Sequence, residues 1–172
     1  IHLIPPLYDA EHYITVRDAI GHLQPIEAGE ICPDDILHRS SALSAINMER
    51  IQQSVPGGTW RDWDENLRLK CHRKESGATF PSVYGRMEWD EPSPTMTTQF
   101  YGYGNGRFGH PEQNRAISLR EGAILQSFPD DYIFIDDLHP AKKRELGTHI
   151  GNAVPVELGR AIGMSIQQHL TE

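Results

Sequence analysis

Isolated polar side chains separated by glycines fill the run PSPTMTTQFYGYGNGRFGHP, residues 92–111. Glutamine and asparagine amides can pair with the edge of adenine, arginine pairs with guanine, and threonine can contact a thymine methyl group. Glycines let a backbone approach a groove where Cβ atoms would block it. The run therefore predicts side chains that read DNA bases, with a structural or phosphate-contacting role as the open alternative for each. The candidates are Thr97, Thr98, Gln99, Tyr101, Asn105 and Arg107.

A second cluster, GGTWRDWDENLRLKCHRK over residues 57–74, combines two tryptophans with closely spaced cations. Lysine and arginine bind a DNA backbone by neutralising its phosphates. Residues 58–86 are therefore the predicted phosphate-binding flank. Its cations are Arg61, Arg68, Lys70, Arg73, Lys74 and Arg86. Trp60 and Trp63 are predicted to anchor a core, with stacking on bases as the minor alternative.

The nine histidines and two cysteines do not have the spacing of a metal centre. Cys71 and His72 are adjacent, Cys32 is distant in sequence, and no CxxC or HxxxH pattern completes a tetrahedral set. We therefore predict no metal. A serine hydrolase is equally unsupported, because the sequence has no GxSxG elbow.

The net charge of −8 argues against a freestanding DNA-binding protein. The charge is uneven, however. Residues 1–35 hold seven acidic groups and one basic residue, Arg17, whereas residues 36–86 hold eight basic and five acidic groups. With 38% hydrophobic and 23% charged residues and no run long enough for a membrane span, the chain has a globular composition. No export leader is visible and the cysteines are unpaired, so we expect a reducing, cytoplasmic location.

Residues typical of helix starts and ends predict a helix after Ser118. Ser118 is a favourable N-cap and Glu121 follows three residues later, which is the spacing of a capping box. Arg120 and Glu121 are expected to point outward, while Leu119, Ala123, Ile124 and residues 126–128 form an apolar stripe. Pro129 is expected to end the helix.

Other elements flank this helix. Thr15 and Asp18 predict a short helix ending at Gly21, residues 23–35 read as a surface loop, and residues 41–54 form a predicted amphipathic helix stopped by Pro56. Only short β-favouring pieces follow, at residues 79–84 and 95–103. This irregular region is either a loop-rich module packed on a larger neighbour or a set of loops that enters a groove.

Two helices are predicted near the C-terminus. The first runs from Pro140 at position N1 to Gly147 as its C-cap. The second follows IGNAVP, residues 150–155, with Asn152 as its cap and Pro155 in its first turn. It is expected to bury a stripe that repeats every four residues. The stripe contains Val154, Leu158, Ile162, Ile166 and Leu170.

The motif RxxSLREGAxLQSFPDDY, residues 115–132, with IGNAVP some twenty residues later, resembles the last two sequence blocks of the bacterial DNA cytosine-5 methyltransferases. In that family a variable target-recognition region interrupts a doubly wound catalytic domain late in the chain. The Thr95–Met96 pair resembles the Thr-Leu or Thr-Ile pair of those recognition regions, whose threonine contacts the phosphate beside the flipped nucleotide.

The resemblance also implies a cofactor site. The corner at Asn152, Ala153 and Val154 matches the family segment that lies against the methionine end of S-adenosylmethionine, where the asparagine contributes directly. Ala153 stands where relatives often have serine, so a hydroxyl contact would be absent. For DNA the implied contacts are Thr95 and the base-reading candidates above, with Arg61, Arg73, Lys74 and Arg86 on the backbone.

The resemblance implies three parts: a connecting segment over residues 1–15, a target-recognition domain over residues 16–112, and a return segment of the catalytic domain over residues 113–172. The expected class is α+β, with an irregular small-sheet recognition domain and C-terminal helices that belong to a doubly wound α/β domain mostly missing from this chain. The family's Pro-Cys-Gln loop, Glu-Asn-Val strand end and Gly-rich cofactor loop are not in the sequence.

The predicted function is therefore that of the C-terminal part of a DNA (cytosine-5-)-methyltransferase, active in restriction-modification on double-stranded DNA. The chain alone is expected to be inactive, and the intact enzyme, which includes the catalytic half, to be a monomer without membrane attachment. Two alternatives stay open: a non-catalytic DNA-recognition subunit or relic, and a degraded or engineered fragment.

Overall fold

Helices and one small antiparallel hairpin are the regular elements of the described part of the chain, and irregular segments join them. The computed structural model describes residues 3–6, 8, 9, 11–134 and 142–171. The α-helices are α1 Val16–Ile20, α2 Ala45–Gln53, α3 Leu119–Leu125, α4 Lys143–Asn152 and α5 Val156–Thr171. Short 3₁₀ helices lie at Trp60–Asp62, Glu65–Leu67, Glu75–Thr79 and Tyr103–Asn105. The mixture confirms the α+β class, whereas the relation to a doubly wound domain stays a prediction.

The starts of α1 and α3 are confirmed at their capping boxes. The Ser118 hydroxyl accepts a hydrogen bond from the Glu121 N–H at 3.0 Å, and the Ser118 N–H donates to the Glu121 carboxylate at 2.6 Å. Thr15 and Asp18 form the same reciprocal pair at α1. These two residues at each start satisfy backbone donors that have no partner within the helix.

The predicted loop over residues 23–35 is wrong in its second half, which forms a hairpin. Strand β1 Ile31–Cys32 pairs antiparallel with β2 Asp35–Arg39, and Ile31 lies opposite Arg39. β2 packs against α3, where Leu37 and His38 are buried. Strand β1 has only two residues, which are too few to show the alternating pattern by which a strand is predicted from sequence.

The β-favouring pieces at residues 79–84 and 95–103 do not form strands. They lie in turns, short helices and irregular backbone, and among the described residues the nearby backbone pairs through isolated bridges at Pro56 with Arg86, Arg86 with Gly109 and Gly109 with Ala116. Many glycines in this region leave few side chains to pack on a sheet. α2 matches the predicted helix, although Ile46 and the following Val55 are exposed and Ile51 carries its core contact.

Two hydrophobic cores hold these elements together. The main core lies where α1, α3, α4 and β2 meet, and it draws side chains from both sides of the predicted boundary after residue 112. Its buried members are Val16, Ile20, Leu37, Met87, Phe100, Phe108, Ile117, Leu119, Ala123, Leu146 and Ile150. The second core contains Ile51, Trp60, Trp63, Leu67, Tyr103 and Ala116. The tryptophans are therefore core anchors, as predicted.

The C-terminal helices differ from the prediction in two ways. Gly147 lies inside α4 instead of ending it, and Asn152 is the last residue of α4; the predicted start at Pro140 lies outside the described residues. α5 begins at Val156, after Pro155, and its expected buried stripe is exposed. Its large side chains are 40–78% exposed at Val156, Leu158, Ile162, Met164, Ile166 and Leu170. Among the described residues, no helix has the length and hydropathy of a membrane span.

Candidate functional site

A cleft of about 290 Å³ lies between the polar run and the corner that joins α4 to α5. One side carries the Thr95–Met96 pair with Ser93 and Pro94, and the other carries residues of α3, α4 and the corner. The second group is Leu125, Gln126, Gly151, Ala153 and Pro155. The fold thus brings together the two motifs that the sequence separates by more than fifty residues.

Gln126 holds the corner in place. Its side-chain amide donates to the backbone carbonyls of Ile150 and Ala153, each at 3.1 Å. The backbone carbonyl of Gln126 accepts from the Val156 N–H at 3.2 Å. The side chain is buried, and such an amide needs these partners. Sequence analysis placed Gln126 in an apolar stripe and missed this role. The one indication in the sequence is that a polar residue occupies a position of an apolar stripe.

The three predicted cofactor residues take different positions at the corner. Ala153 lines the cleft, whereas the side chains of Asn152 and Val154 are exposed and do not belong to its lining. Asn152 ends α4, where the helix dipole carries partial negative charge. The cleft wall is therefore formed by Gly151 and Ala153, and the Asn152 amide lies beside it at the helix end.

The base-reading candidates fall into two groups. In the first group Thr97 and Gln99 are exposed and Thr98 is half-buried; Thr95, the predicted phosphate contact, is also exposed. The second group, Tyr101, Asn105 and Arg107, already contacts other residues of the protein. The Asn105 amide donates to the Gln99 carbonyl at 3.2 Å. The Arg107 guanidinium donates to the Gly58 carbonyl at 2.8 Å, and the Tyr101 ring packs on α4 with the Lys143 ammonium 5.9 Å from its centroid.

Four cations of the predicted phosphate-binding flank are exposed: Arg61, Lys70, Arg73 and Lys74. The Arg61 guanidinium carbon lies 5.4 Å from the centroid of the Trp60 ring, and Arg73 donates to the Glu65 carbonyl at 2.8 Å. Both cations keep exposed side chains, so a DNA backbone could reach them. Trp60 and Trp63 are 4% and 2% exposed, which leaves no face open for stacking on a base.

Arg86 is a correction to the predicted phosphate contacts. It is 4% exposed, and its guanidinium donates to the carbonyls of Ser54, Ile51 and His110, each at 2.8 Å. It also donates to the Gln113 carbonyl and to the Asn114 side chain. Burial lowers the pKa of Arg86. With its donors bound to oxygens inside the protein, this side chain links the end of α2 to the turn at residues 110–114 and does not reach a phosphate.

Glu121 was expected to point outward and is instead buried. Arg115 donates to both of its carboxylate oxygens at 2.7 Å, and the two side chains are 0% and 1% exposed. Burial alone would raise the pKa of Glu121, but the hydrogen bonds and charge of Arg115 lower it below its ordinary value. The pair thus stays ionised in the interior and fixes the start of α3.

His110 lies beside this pair, with its Nε2 3.7 Å from the Glu121 carboxylate. Its Nδ1 accepts hydrogen bonds from the backbone N–H groups of Glu112 and Gln113 at 3.1 and 2.9 Å. Burial lowers the pKa of His110 to about 4, although Glu121 opposes this shift. The imidazole is therefore neutral at physiological pH and serves as an acceptor for the turn before Arg115.

The cleft is suited to binding and has no group for acid–base or nucleophilic work. Its lining consists of hydroxyl, amide, backbone and apolar groups, without a titratable side chain. Cys32 is buried in the hairpin and the exposed Cys71 lies in the basic flank, so neither thiol lines the cleft. Within the described ranges, no three His, Cys, Asp or Glu side chains gather as a metal site would require.

Comparison with known proteins gives the family relationship of these features. The family model described as C-5 cytosine-specific DNA methylase matches residues 13–168. The chain is 56% identical over 170 residues to the type II methylase M.HgiDII of Herpetosiphon aurantiacus, covering 99% of the chain and 48% of that protein. It is 37% identical over 131 residues to the type II methyltransferase M1.BsuMI of Bacillus subtilis (strain 168), covering 76% and 29%.

A plant relative shows the same partial match. The chain is 33% identical over 183 residues to DNA (cytosine-5)-methyltransferase 3 of Arabidopsis thaliana, covering 91% of the chain and 13% of that protein. The chain therefore spans about half the length, or less, of the curated relatives it matches.

Proposed function

Because the chain belongs to the C-5 cytosine-specific DNA methylase family, we propose that it is the C-terminal part of a DNA (cytosine-5-)-methyltransferase. In this role it selects a specific site in duplex DNA and forms one wall of the S-adenosylmethionine pocket. The observation that carries the proposal is the cleft lined by both the Thr95–Met96 pair and the Gly151–Ala153 corner. Residues 16–112 provide recognition and residues 113–172 rejoin the catalytic domain, with residues 1–15 as the connection.

The proposed DNA contacts divide by exposure. Thr95 lies at the cleft and binds the phosphate beside the flipped nucleotide, while Thr97, Thr98 and Gln99 extend along the adjoining surface towards base edges. Tyr101, Asn105 and Arg107 contact bases only if they give up or share their present protein partners. The exposed cations Arg61, Arg73 and Lys74 bind the backbone.

The corner fits the methionine end of S-adenosylmethionine in its chemistry. The C-terminal end of α4 carries partial negative charge, which favours an ammonium group, and the exposed Asn152 amide at that end can accept a hydrogen bond. The small Ala153 leaves the cleft wall open and offers no hydroxyl. S-adenosylmethionine supplies the methyl group when bound, and these residues hold and orient its methionine end.

The chemistry itself requires a second part of the enzyme. In the intact enzyme a flipped cytosine would take a cysteine thiolate at C6 and receive at C5 the methyl group that leaves the sulfonium of S-adenosylmethionine; loss of the C5 proton and expulsion of the thiolate from C6 would then release 5-methylcytosine. Since the cleft has no titratable side chain and neither Cys32 nor Cys71 lines it, we expect residues 1–172 alone to be inactive. The exposed apolar stripe of α5 is the surface on which we expect the catalytic half to pack in a monomeric enzyme.

Separate substitutions in the full-length protein test the two binding roles. We expect Thr95→Val to raise KM for DNA by about 10-fold while Thr95→Ser, which keeps the hydroxyl, stays near wild type. We expect Asn152→Ala to raise KM for S-adenosylmethionine by a similar factor, with the exposed Asn66→Ala as its matched control. Steady-state methyl transfer measures both. Unchanged KM values in both variants would contradict the proposed site.

A further inference from the structure

Two glycines on one face of α4 allow unusually close contact with residues 97–101. Gly147 and Gly151 are four residues apart and therefore share a helix face. A Cβ built on Gly147 would lie 2.3 Å from two carbons of the Tyr101 ring. A Cβ built on Gly151 would lie 2.2 Å from the Thr97 carbonyl oxygen and 2.7 Å from the Thr98 Cα. These distances are far below van der Waals contact, so only glycine permits this packing.

The opposite side of the same segment is fixed by α3. Phe100 is fully buried, and a Cβ built on Gly122 of α3 would lie 2.1 Å from its ring. The Tyr101 carbonyl accepts a hydrogen bond from the Ser41 hydroxyl at 2.6 Å, and Ser41 in turn accepts from the Lys143 ammonium at 2.9 Å. Residues 97–101 are therefore clamped between α3 and α4.

The end of α4 that contacts this segment is also the proposed cofactor corner. Gly151 lines the cleft together with Ala153, and Gln126 of the α3 end binds the carbonyls of Ile150 and Ala153. Gly151 consequently touches the backbone of the target-reading segment on one side and the cleft on the other. We expect a displacement of either side at this contact to be transmitted to the other, because packed protein interiors have low compressibility and transmit strain.

We propose that Gly151 is a positioning residue that couples target reading by residues 97–101 to the cofactor corner at residues 151–153. This inference rests on the proposed function and adds to it a residue and a route of coupling. Because coupling between two binding equilibria is reciprocal, the duplex changes the affinity for the cofactor by the same factor as the cofactor changes the affinity for the duplex.

The test compares Gly151→Ala with Gly159→Ala in the full-length protein. Both exchange a helical glycine for a better helix former, but a Cβ on Gly159 has no atom of the described residues within 4 Å. We expect Gly151→Ala to raise KM for site-containing duplex and KM for S-adenosylmethionine together, each by about 10-fold. Gly159→Ala should stay within about twofold of wild type. A fall in kcat with both KM values unchanged would mean a purely structural role and would overturn the proposal.

Hydrogen exchange provides a readout that does not depend on activity. Amides of residues 97–101 should exchange faster in Gly151→Ala than in wild type or Gly159→Ala, and equal rates would overturn the contact. If wild-type protein exchanges as described but transfers no methyl group, the proposed function fails while the contact stands. If Gly151→Ala does not fold, Gly147→Ala takes its place. Its effect on duplex KM should vanish in a Tyr101→Ala background, which has room for the added methyl group, and persistence there would contradict the clamp.

Discussion

Buried charged and polar residues decide the local structure around the cleft. Arg115 and Glu121 form a bidentate pair in the interior, and Glu121 also accepts from the Ser118 N–H that begins α3. Removing either partner would leave an unpaired buried charge, which costs about 3–5 kcal/mol. The pair therefore links the chain that leaves the polar run to the helix whose C-terminal end holds the proposed cofactor corner.

His110 gives this network a pH dependence. Its pKa is lowered from 6.5 to about 4 by burial, so the folded protein binds fewer protons than the unfolded chain between these values. The stability contributed by the neutral imidazole is fully present above pH 6.5 and is lost as the pH falls towards 4. We expect a loss on the order of 3 kcal/mol in the free energy of unfolding. Denaturant unfolding from pH 7 to pH 4 measures it.

The lowered pKa of Glu121 adds a loss of the same sign at the acidic end of this range, so a variant is needed to separate the two. His110→Asn keeps an acceptor for the N–H groups of Glu112 and Gln113 but cannot be protonated there. It should lose less stability between pH 6.5 and pH 4.5 than wild type. Exposed His149→Asn should keep the wild-type profile. Identical profiles for all three proteins would contradict the assignment to His110.

Residue roles were predictable where they depend on local spacing. The caps at Thr15 and Ser118 involve partners three residues away, and both were correct. The burial of Glu121 depends on its ion pair with Arg115. The burial of Arg86 depends on backbone carbonyls up to 35 residues away in the sequence. Contacts of this kind cannot be predicted from residue spacing. Gln126 was missed for the same reason, since its carbonyl partners lie on α4 and beyond.

The apolar stripe of helix α5 is not covered by the described residues. Its apolar stripe repeats at helical spacing, yet its members are exposed. Sequence predicted the stripe correctly because periodicity is local, but burial requires a neighbour that the described residues do not supply. The hairpin shows the opposite case, because β1 has no readable pattern and forms through its pairing with β2.

Substitution on this stripe tests its role as an interface. In residues 1–172, Leu158→Glu should change the free energy of unfolding by less than about 0.5 kcal/mol, because the side chain is already exposed. In the full-length protein the same change should lower the melting temperature by several degrees, since it would bury an unpaired carboxylate. Exposed Gln167→Glu on the same helix is the control. Equal effects of Leu158→Glu in both proteins would contradict an interface at α5.

The whole molecule combines two surfaces with different predicted partners. One is the polar surface of residues 95–99 with the cations of the flank, and the other is the apolar stripe of α5. The family could be predicted from the two C-terminal blocks, and the family match over residues 13–168 confirms it. The shared core across residue 112 could not be predicted, since it depends on contacts between segments far apart in sequence.

We propose that this chain selects a DNA site and completes a methyltransferase whose chemistry lies elsewhere. The most direct measurement is transfer of labelled methyl groups from S-adenosylmethionine to mixed-sequence duplex DNA, with mapping of the modified bases. We expect no transfer above background by residues 1–172 alone, and methylation of C5 of cytosine at one defined sequence by the full-length protein. Robust transfer by residues 1–172 would contradict the claim and would require Cys32 or Cys71 as the nucleophile. DNA binding without transfer by the full-length protein would instead indicate a non-catalytic recognition subunit.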